Sequence, residues 1–376
     1  MLCICFAAGL VHDAGIDAVL PVLDGALSCA ASLRSQMLIP LVSMTMSHVD
    51  LTLPAPRTGP RFAEPRSMYF AGACQDGSCF WFSQGCQPGC ANCTDKMGLV
   101  DGGCTTPMEP TVTDPRYRTY MDDPVDGDFT RHHPWRSPGY APIYSPCGLA
   151  GGGKTFNLPN GDMTSGTKVA QGYDGRDPLP YSTPVPTVWR RGAEVEVGWS
   201  ITANHGGGYA YRLCPKTSSR VEEACFQTHH LSLKGDLSWI QHGNDTSKRT
   251  AIPALRLTDG THPKGSQWTR NPIPACASEL GGVGHGFNCS GLPPQFPPPL
   301  PGLYGFGKSE CFPGRGADCT AEQKARIVAF FNFNIIDKLD VPTSLVSGDY
   351  ILSFRYDSEQ TPQVWANCAD IKLVDA

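Results

Sequence analysis

Several segments of the chain alternate apolar and polar residues with a period of two, the pattern of a half-buried β-strand. The clearest is VEVGWSITANH, in which Val195, Val197, Trp199, Ile201 and Ala203 fall on one face and Glu194, Glu196, Ser200 and Thr202 on the other. His205 continues the apolar parity, three glycines follow, and YAYRL resumes with Tyr209, Tyr211 and Leu213 as an expected partner strand. HVDLTLPAPR alternates through Val49, Leu51 and Leu53 before prolines end it. FNFNIIDKLDVP, DYILSFRYD and QVWANCADIKLV close the chain as a run of strands separated by turn residues. Helical signals are few: Thr320 to Gln323 reads as a capping box before a short helix. The pattern predicts an all-β protein.

Between these segments the chain is loop-like from about Pro107 to Pro186, and Cys74 to Cys104 is dense in cysteine around Phe80, Trp81 and Phe82. Cys86, Cys90 and Cys93 permit a zinc knuckle, although thiols in an oxidising compartment more often pair with each other. The proline-rich stretch from Leu292, flanked by Cys289 and Cys311, reads as a pinned loop rather than an interdomain linker. No internal repeat is evident. Gly (41) and Pro (34) make up about a fifth of the 376 residues, which fits short strands joined by shaped loops.

Only 17% of residues are charged and the net charge is −5, so nothing favours a nucleic acid or an anionic membrane as partner. No stretch after the leader approaches the ~20 apolar residues that span a bilayer. Seventeen cysteines point to an oxidising compartment and a secreted protein. Residues 1–47 read as a leader with two plausible cleavage points, near Ala30 and after Ser47. Removal of that leader takes away Cys3, Cys5 and Cys29 and leaves fourteen cysteines, an even number. Asn92, Asn244 and Asn288 stand in N-x-[ST] triplets, which a secretory route permits.

Two motifs mislead. GLAGGGKT, Gly148 to Thr155, fits the phosphate-loop pattern, yet SPGYAPIYSPC before it is no buried strand and FNLPNGDMTSG after it cannot propagate a helix. HGGG, His205 to Gly208, resembles an esterase oxyanion loop, but no serine stands in a nucleophile elbow.

The chemistry that remains is that of histidine. His205 ends a strand and precedes three glycines, which leave room for a ligand to approach; the alternative is a histidine packed into the core. Cleavage after Ser47 would make His48 the first residue, offering an α-amine and an imidazole, and with a second imidazole the three nitrogens form a near-planar set suited to Cu(II). The adjacent pairs His132-His133 and His229-His230 cannot chelate without a turn, since neighbours in a strand face opposite ways.

WSITANHGGGYAYRLCP resembles the segment around the second copper histidine of lytic polysaccharide monooxygenases, and HVDLTLPAPR, with Pro54 and Arg57, looks like their mature N-terminus. QVWANCADIKLV is similar to their last strand. CFWFSQGC, NPIP (Asn271 to Pro274) and QTPQVWANCADI further resemble algal and oomycete secreted proteins of this monooxygenase-like type. The resemblance implies one immunoglobulin-like or fibronectin-like β-sandwich over residues 48–376, with long disulfide-pinned loop insertions at 70–186 and 276–319. It implies one copper ion held by His48 and His205, with Gln363 as hydrogen-bond partner of the oxygen species and Trp365 beside the metal where many members carry Tyr. An indole has one N–H and no phenol oxygen, so axial ligation there is not expected. The implied activity is oxidative cleavage of a polysaccharide by a secreted monomer, using O2 or H2O2 and an external electron donor. A copper-free carbohydrate-binding or cell-wall protein on the same sandwich, and a hydrolase, stay open as alternatives.

Overall fold

The computed structural model describes residues 48–57, 80–83, 134–150 without 142 and 144, 169–274 without 171, 181, 205, 218 and 242–244, 296–300, and 333–376 without 360–362. The leader, the asparagines of the N-x-[ST] triplets, the capping box at Thr320, nearly all of the cysteine-dense region and most of the 276–319 insertion lie outside them. Fourteen strands form among the described residues: β1 (His48–Leu53), β2 (Phe80–Ser83), β3 (Leu149–Ala150), β4 (Thr187–Arg190), β5 (Glu194–Ala203), β6 (Gly208–Pro215), β7 (His230–Leu231), β8 (Leu237–Gln241), β9 (Arg249–Pro253), β10 (Arg256–Leu257), β11 (Trp268–Arg270), β12 (Asn334–Asp340), β13 (Gly348–Asp357) and β14 (Gln363–Val374). One short helix, α1 (Glu223–Thr228), stands between β6 and β7.

The strands build the expected all-β sandwich. One sheet runs β1-β5-β12-β8-β9, and the other runs β10-β11-β6-β13-β14-β2-β3, with β4 parallel to β14 and β7 on β6. Alternation places Val49, Leu51, Val197, Trp199 and Ile201 of the first sheet against Tyr209, Tyr211, Leu213, Phe354, Tyr356 and Trp365 of the second, in one core. The Trp199 ring lies 4.8 Å from that of Tyr209 and 5.4 Å from that of Tyr356. Buried Asp337 on β12 clamps the two sheets: it accepts from Tyr209 OH (2.7 Å), Ser238 Oγ (2.5 Å) and Arg256 Nη2 (2.9 Å).

Two expectations change. Tyr209 to Leu213 does not pair with β5, because β5 hydrogen-bonds to β1 and β12 while β6 hydrogen-bonds to β11, β13 and β7. The intervening glycines carry the chain across the core from one sheet to the other, so the two segments bury the same parity from opposite sides. Gly206 (φ +65°) and Gly207 (φ +103°) take the left-handed conformations this requires. Phe80–Ser83, expected as loop, is strand β2; it pairs Ser83 with Gln363 and Phe82 with Val364, covering what would otherwise be an open edge at the start of β14.

The outer face of the second sheet is buried rather than wet. Segment 134–150 and α1 lie over it, with Arg355 donating to Asp357 Oδ1 (2.8 Å) and to the Ala141 carbonyl (2.7 Å), and Arg212 paired with Glu223. The disulfides Cys147–Cys368 and Cys214–Cys225 fasten the loop and helix to that face, in keeping with the disulfide-pinned loops expected from the cysteine content.

Two outcomes follow from this packing. A Cβ at Gly207 would lie 2.1 Å from the Asp357 carbonyl oxygen on top of an unfavourable φ, so Gly207→Ala should lower stability by roughly 3 kcal/mol or more in urea unfolding. Arg57 donates to Asp370 through Nε (3.1 Å) and Nη2 (2.7 Å); burial works to raise the Asp370 carboxyl, but these bonds and the Arg57 and Lys216 charges outweigh it and hold the pKa below the usual value. A depressed folded pKa contributes stability above the unfolded pKa of about 3.9, and loses it as pH falls through the lower folded value. Arg57→Gln should therefore cost about 1–2 kcal/mol at pH 7, with the gap to wild type closing as pH falls through the lowered folded value. A gap unchanged down to pH 2 would show that this pair is not its source.

Candidate metal centre

The start of β1 is held from two sides. Toward the first sheet it pairs with β5, Leu51 opposite Trp199 and Val49 opposite Ile201, and an irregularity between His48 and Val49 brings position 48 opposite Ala203. Toward the second sheet, Leu51 N donates to buried Asn367 Oδ1 (3.0 Å), and further on Arg57 N donates to the Cys368 carbonyl (2.8 Å). Leu51 is thus tied to Asn367 and Arg57 to Cys368, so β1 and the residues after it advance along β14 in the same direction.

This arrangement fixes where the expected site residues stand. His48 begins β1 three residues before Leu51, and Gln363 begins β14 four residues before Asn367, so both strands start at one end of the sandwich. β5 finishes at that end with Ala203, and Gly208 of β6 and Asp357 of β13 meet there in register, Asp357 being also opposite Val364. His205 falls in the link from β5 to β6 and itself lies outside the described residues, as do the side chains of His48 and Gln363. Ala203, two residues before His205 in the sequence, is the register partner of His48. Trp365 is fully described: it is 1% exposed and packs into the inter-sheet core with Ala369, Ile371 and Leu373.

The residues on both sides of position 205 are locked by a buried amide network. Asn204 Nδ2 donates to the Ile273 (3.1 Å) and Pro274 (3.3 Å) carbonyls, and its Oδ1 accepts from Gly206 N (3.0 Å) and Asn271 Nδ2 (2.9 Å). Asn271 Nδ2 also donates to Tyr356 OH (2.9 Å), whose own proton goes to the Gly206 carbonyl. Asn271 N donates to the Gly207 carbonyl (2.8 Å), and Asn271 Oδ1 accepts from Ile273 N (2.9 Å). Burial pushes the Tyr356 phenol well above its ordinary pKa, so it stays a proton donor. Residue patterning does not single out Asn204 or Tyr356, and it marks NPIP without a reason for it; the only local signal is an Asn directly before the histidine and its glycines.

Other candidates separate from this end by their surroundings. His230 is packed 6.0 Å from Trp268, and burial, with the Arg212 and Arg355 charges, lowers its pKa to about 2. The Gly206 amide of the HGGG motif is already spent on Asn204 Oδ1, which removes a donor that an oxyanion hole would need. Among the described residues upstream of GLAGGGKT lie a 3-10 turn, Pro134–Arg136, and a loop tied by Cys147, and the strand a phosphate loop requires is not among them. Among the described residues no three His, Cys, Asp or Glu side chains converge to hold a metal.

No family model matches the chain. It is 26% identical over 212 residues to "AA13 family lytic polysaccharide monooxygenase A" of Pyricularia oryzae, a match that covers 54% of this chain and 48% of that protein. The chain thus spans about half the length of this curated relative. Among solved structures, a copper complex of a cellulose-active lytic polysaccharide monooxygenase aligns at 12% identity and TM-score 0.30, over 88% of this chain and 100% of that one. An AA10 lytic polysaccharide monooxygenase from Streptomyces lividans aligns at 13% identity and TM-score 0.20, over 66% and 75%. Superpositions at scores this low carry no argument about the site or its activity. In sequence, the chain is similar to a lytic polysaccharide monooxygenase, as its short motifs implied.

Proposed function

We propose that the protein is a secreted, monomeric copper monooxygenase that cleaves glycosidic bonds in a polysaccharide, taking electrons from an external donor and using O2 or H2O2. One observation supports this most: the register of β1 on β5 places position 48 opposite Ala203, so the first histidine stands on the strand neighbouring the link that carries the second. The sequence relative is of the same class.

The donor set fits the metal on chemical grounds. His48, freed by cleavage after Ser47, supplies its amine and imidazole, and His205 supplies a second imidazole. An amine and two imidazoles are a donor set that would suit Cu(II), and an ordinary amine pKa of about 8 makes displacement of its proton mild near neutral pH. When bound, copper supplies one-electron redox chemistry that activates the oxidant. The chain's part is to hold the donors and shape their surroundings. β1 fixes position 48 through β5 and Asn367, Gln363 enters from the start of β14 as a hydrogen-bonding amide, and the Trp365 indole packs beneath as an apolar floor. Among the described residues no helix is long and apolar enough to cross a membrane.

Protein expressed with His48 as its first residue and loaded with copper should release oxidised oligosaccharides from at least one of a panel of polysaccharides, only with reductant present. Products with unoxidised ends and no need of reductant would indicate a hydrolase; glycan binding with neither product nor copper would indicate a binding protein. His205→Ala should abolish tight Cu(II) binding in calorimetric titration, and micromolar or tighter affinity retained in that variant would place the metal elsewhere. One glycine added before His48 should weaken Cu(II) binding by at least tenfold, because the amine becomes an amide.

A further inference from the structure

We infer that Tyr356, Asn271 and Asn204 are positioning residues for the second copper ligand, fixing the two peptide groups that follow His205 and so limiting the backbone freedom of the link that carries it. This rests on the proposed copper chemistry.

The hydrogen-bonding capacity of Asn204 is filled. Two amide protons go to two carbonyls, and two lone pairs take the Gly206 amide and one proton of Asn271. Asn271 sends its other side-chain proton to Tyr356, and Tyr356 sends its single proton to the Gly206 carbonyl. Both polar atoms of the Gly206 peptide backbone are therefore held by side chains: N–H by Asn204, C=O by Tyr356. The Gly207 carbonyl is held in turn by the Asn271 backbone. Asn204 and Asn271 are each 1% exposed and Tyr356 is fully buried, so the bonds form where water does not compete.

The crossover alone does not require this. Pairing of Gly208 with Asp357 and Arg270 already anchors the far side of the link, and an apolar core would be satisfied by Phe at 356. What the network adds is rigidity at two glycines, residues with unusual backbone freedom, next to a residue that must meet a metal. A ligand on a free link would have to lose backbone entropy at each residue ordered on binding. Outer groups that orient a metal ligand are typically worth about 10- to 100-fold in affinity.

The test compares the His48-initiated protein with Tyr356→Phe, which keeps the ring and deletes the hydroxyl, and with Tyr209→Phe as control. Tyr209 is a buried phenol of the same core whose bond goes to Asp337 in the other sheet. Tyr356→Phe should bind Cu(II) at least tenfold more weakly and show a shifted or heterogeneous Cu(II) EPR spectrum. Tyr209→Phe should lose comparable thermal stability while keeping wild-type affinity and spectrum. Should Tyr356→Phe not fold, Asn271→Ala, which keeps the backbone bond to Gly207, carries the same test. Wild-type affinity and spectrum in the network variant, or equal disturbance in the control, overturn this inference and leave the copper reading standing. A wild-type chain that takes up no copper overturns both.

Discussion

A chain that leaves one sheet of a sandwich and enters the other has about 10 Å to cross, and here only Asn204 to Gly207 separate β5 from β6. That short passage is the constraint on which the end of the molecule depends. Two left-handed glycines turn it, and contact of Gly207 with the Asp357 carbonyl and of Gly208 with Trp135 leaves no room for a side chain at either. Because the passage is so tight, β5 and β6 face each other through Trp199 and Tyr209 instead of pairing edge to edge.

The same passage gathers chemistry at one end. Strands that start there (β1, β14, β6) and strands that finish there (β5, β13) come from widely separated parts of the sequence. Their side chains close the core beneath with Trp199, Tyr356 and Trp365, and their polar groups lock the link. A metal ligand placed on such a link borrows the rigidity of two sheets, whereas one on an ordinary surface loop would have to be ordered by the ligand itself.

On the outer face of the second sheet, stability is built differently. That face carries Arg212, Arg355, Glu223 and Asp357 in a buried layer that stays tolerable because its charges are paired and hydrogen-bonded. Disulfides at Cys147–Cys368 and Cys214–Cys225 keep the loop and helix that cover this layer in place, and they pack with Val221, Phe226 and Ile351 in a small apolar cluster. A chain rich in loops can use covalent ties to reinforce such limited burial.

The alternation of residues by itself determined six of the strands, β1, β5, β6, β12, β13 and β14, and their core-facing residues: Val197, Trp199 and Ile201, then Tyr209, Tyr211 and Leu213, are inward as their parity requires. Residue chemistry also singled out His48 and His205, and the resemblance added Gln363 and Trp365; the structure sets the backbone of His48, Gln363 and Trp365 at one end and describes the side chain of Trp365 alone among the four. Partnership was decided only in three dimensions. Period two says which face of a strand meets the core, but not which strand its amides will bond, so β6 joined β13 rather than β5, and Phe80–Ser83 became a strand between β14 and β3. The reason for Asn204, Asn271 and Tyr356 was equally hidden, since each satisfies a neighbour far away in sequence, and a hydrogen bond between positions 85 residues apart leaves no periodic trace in the chain.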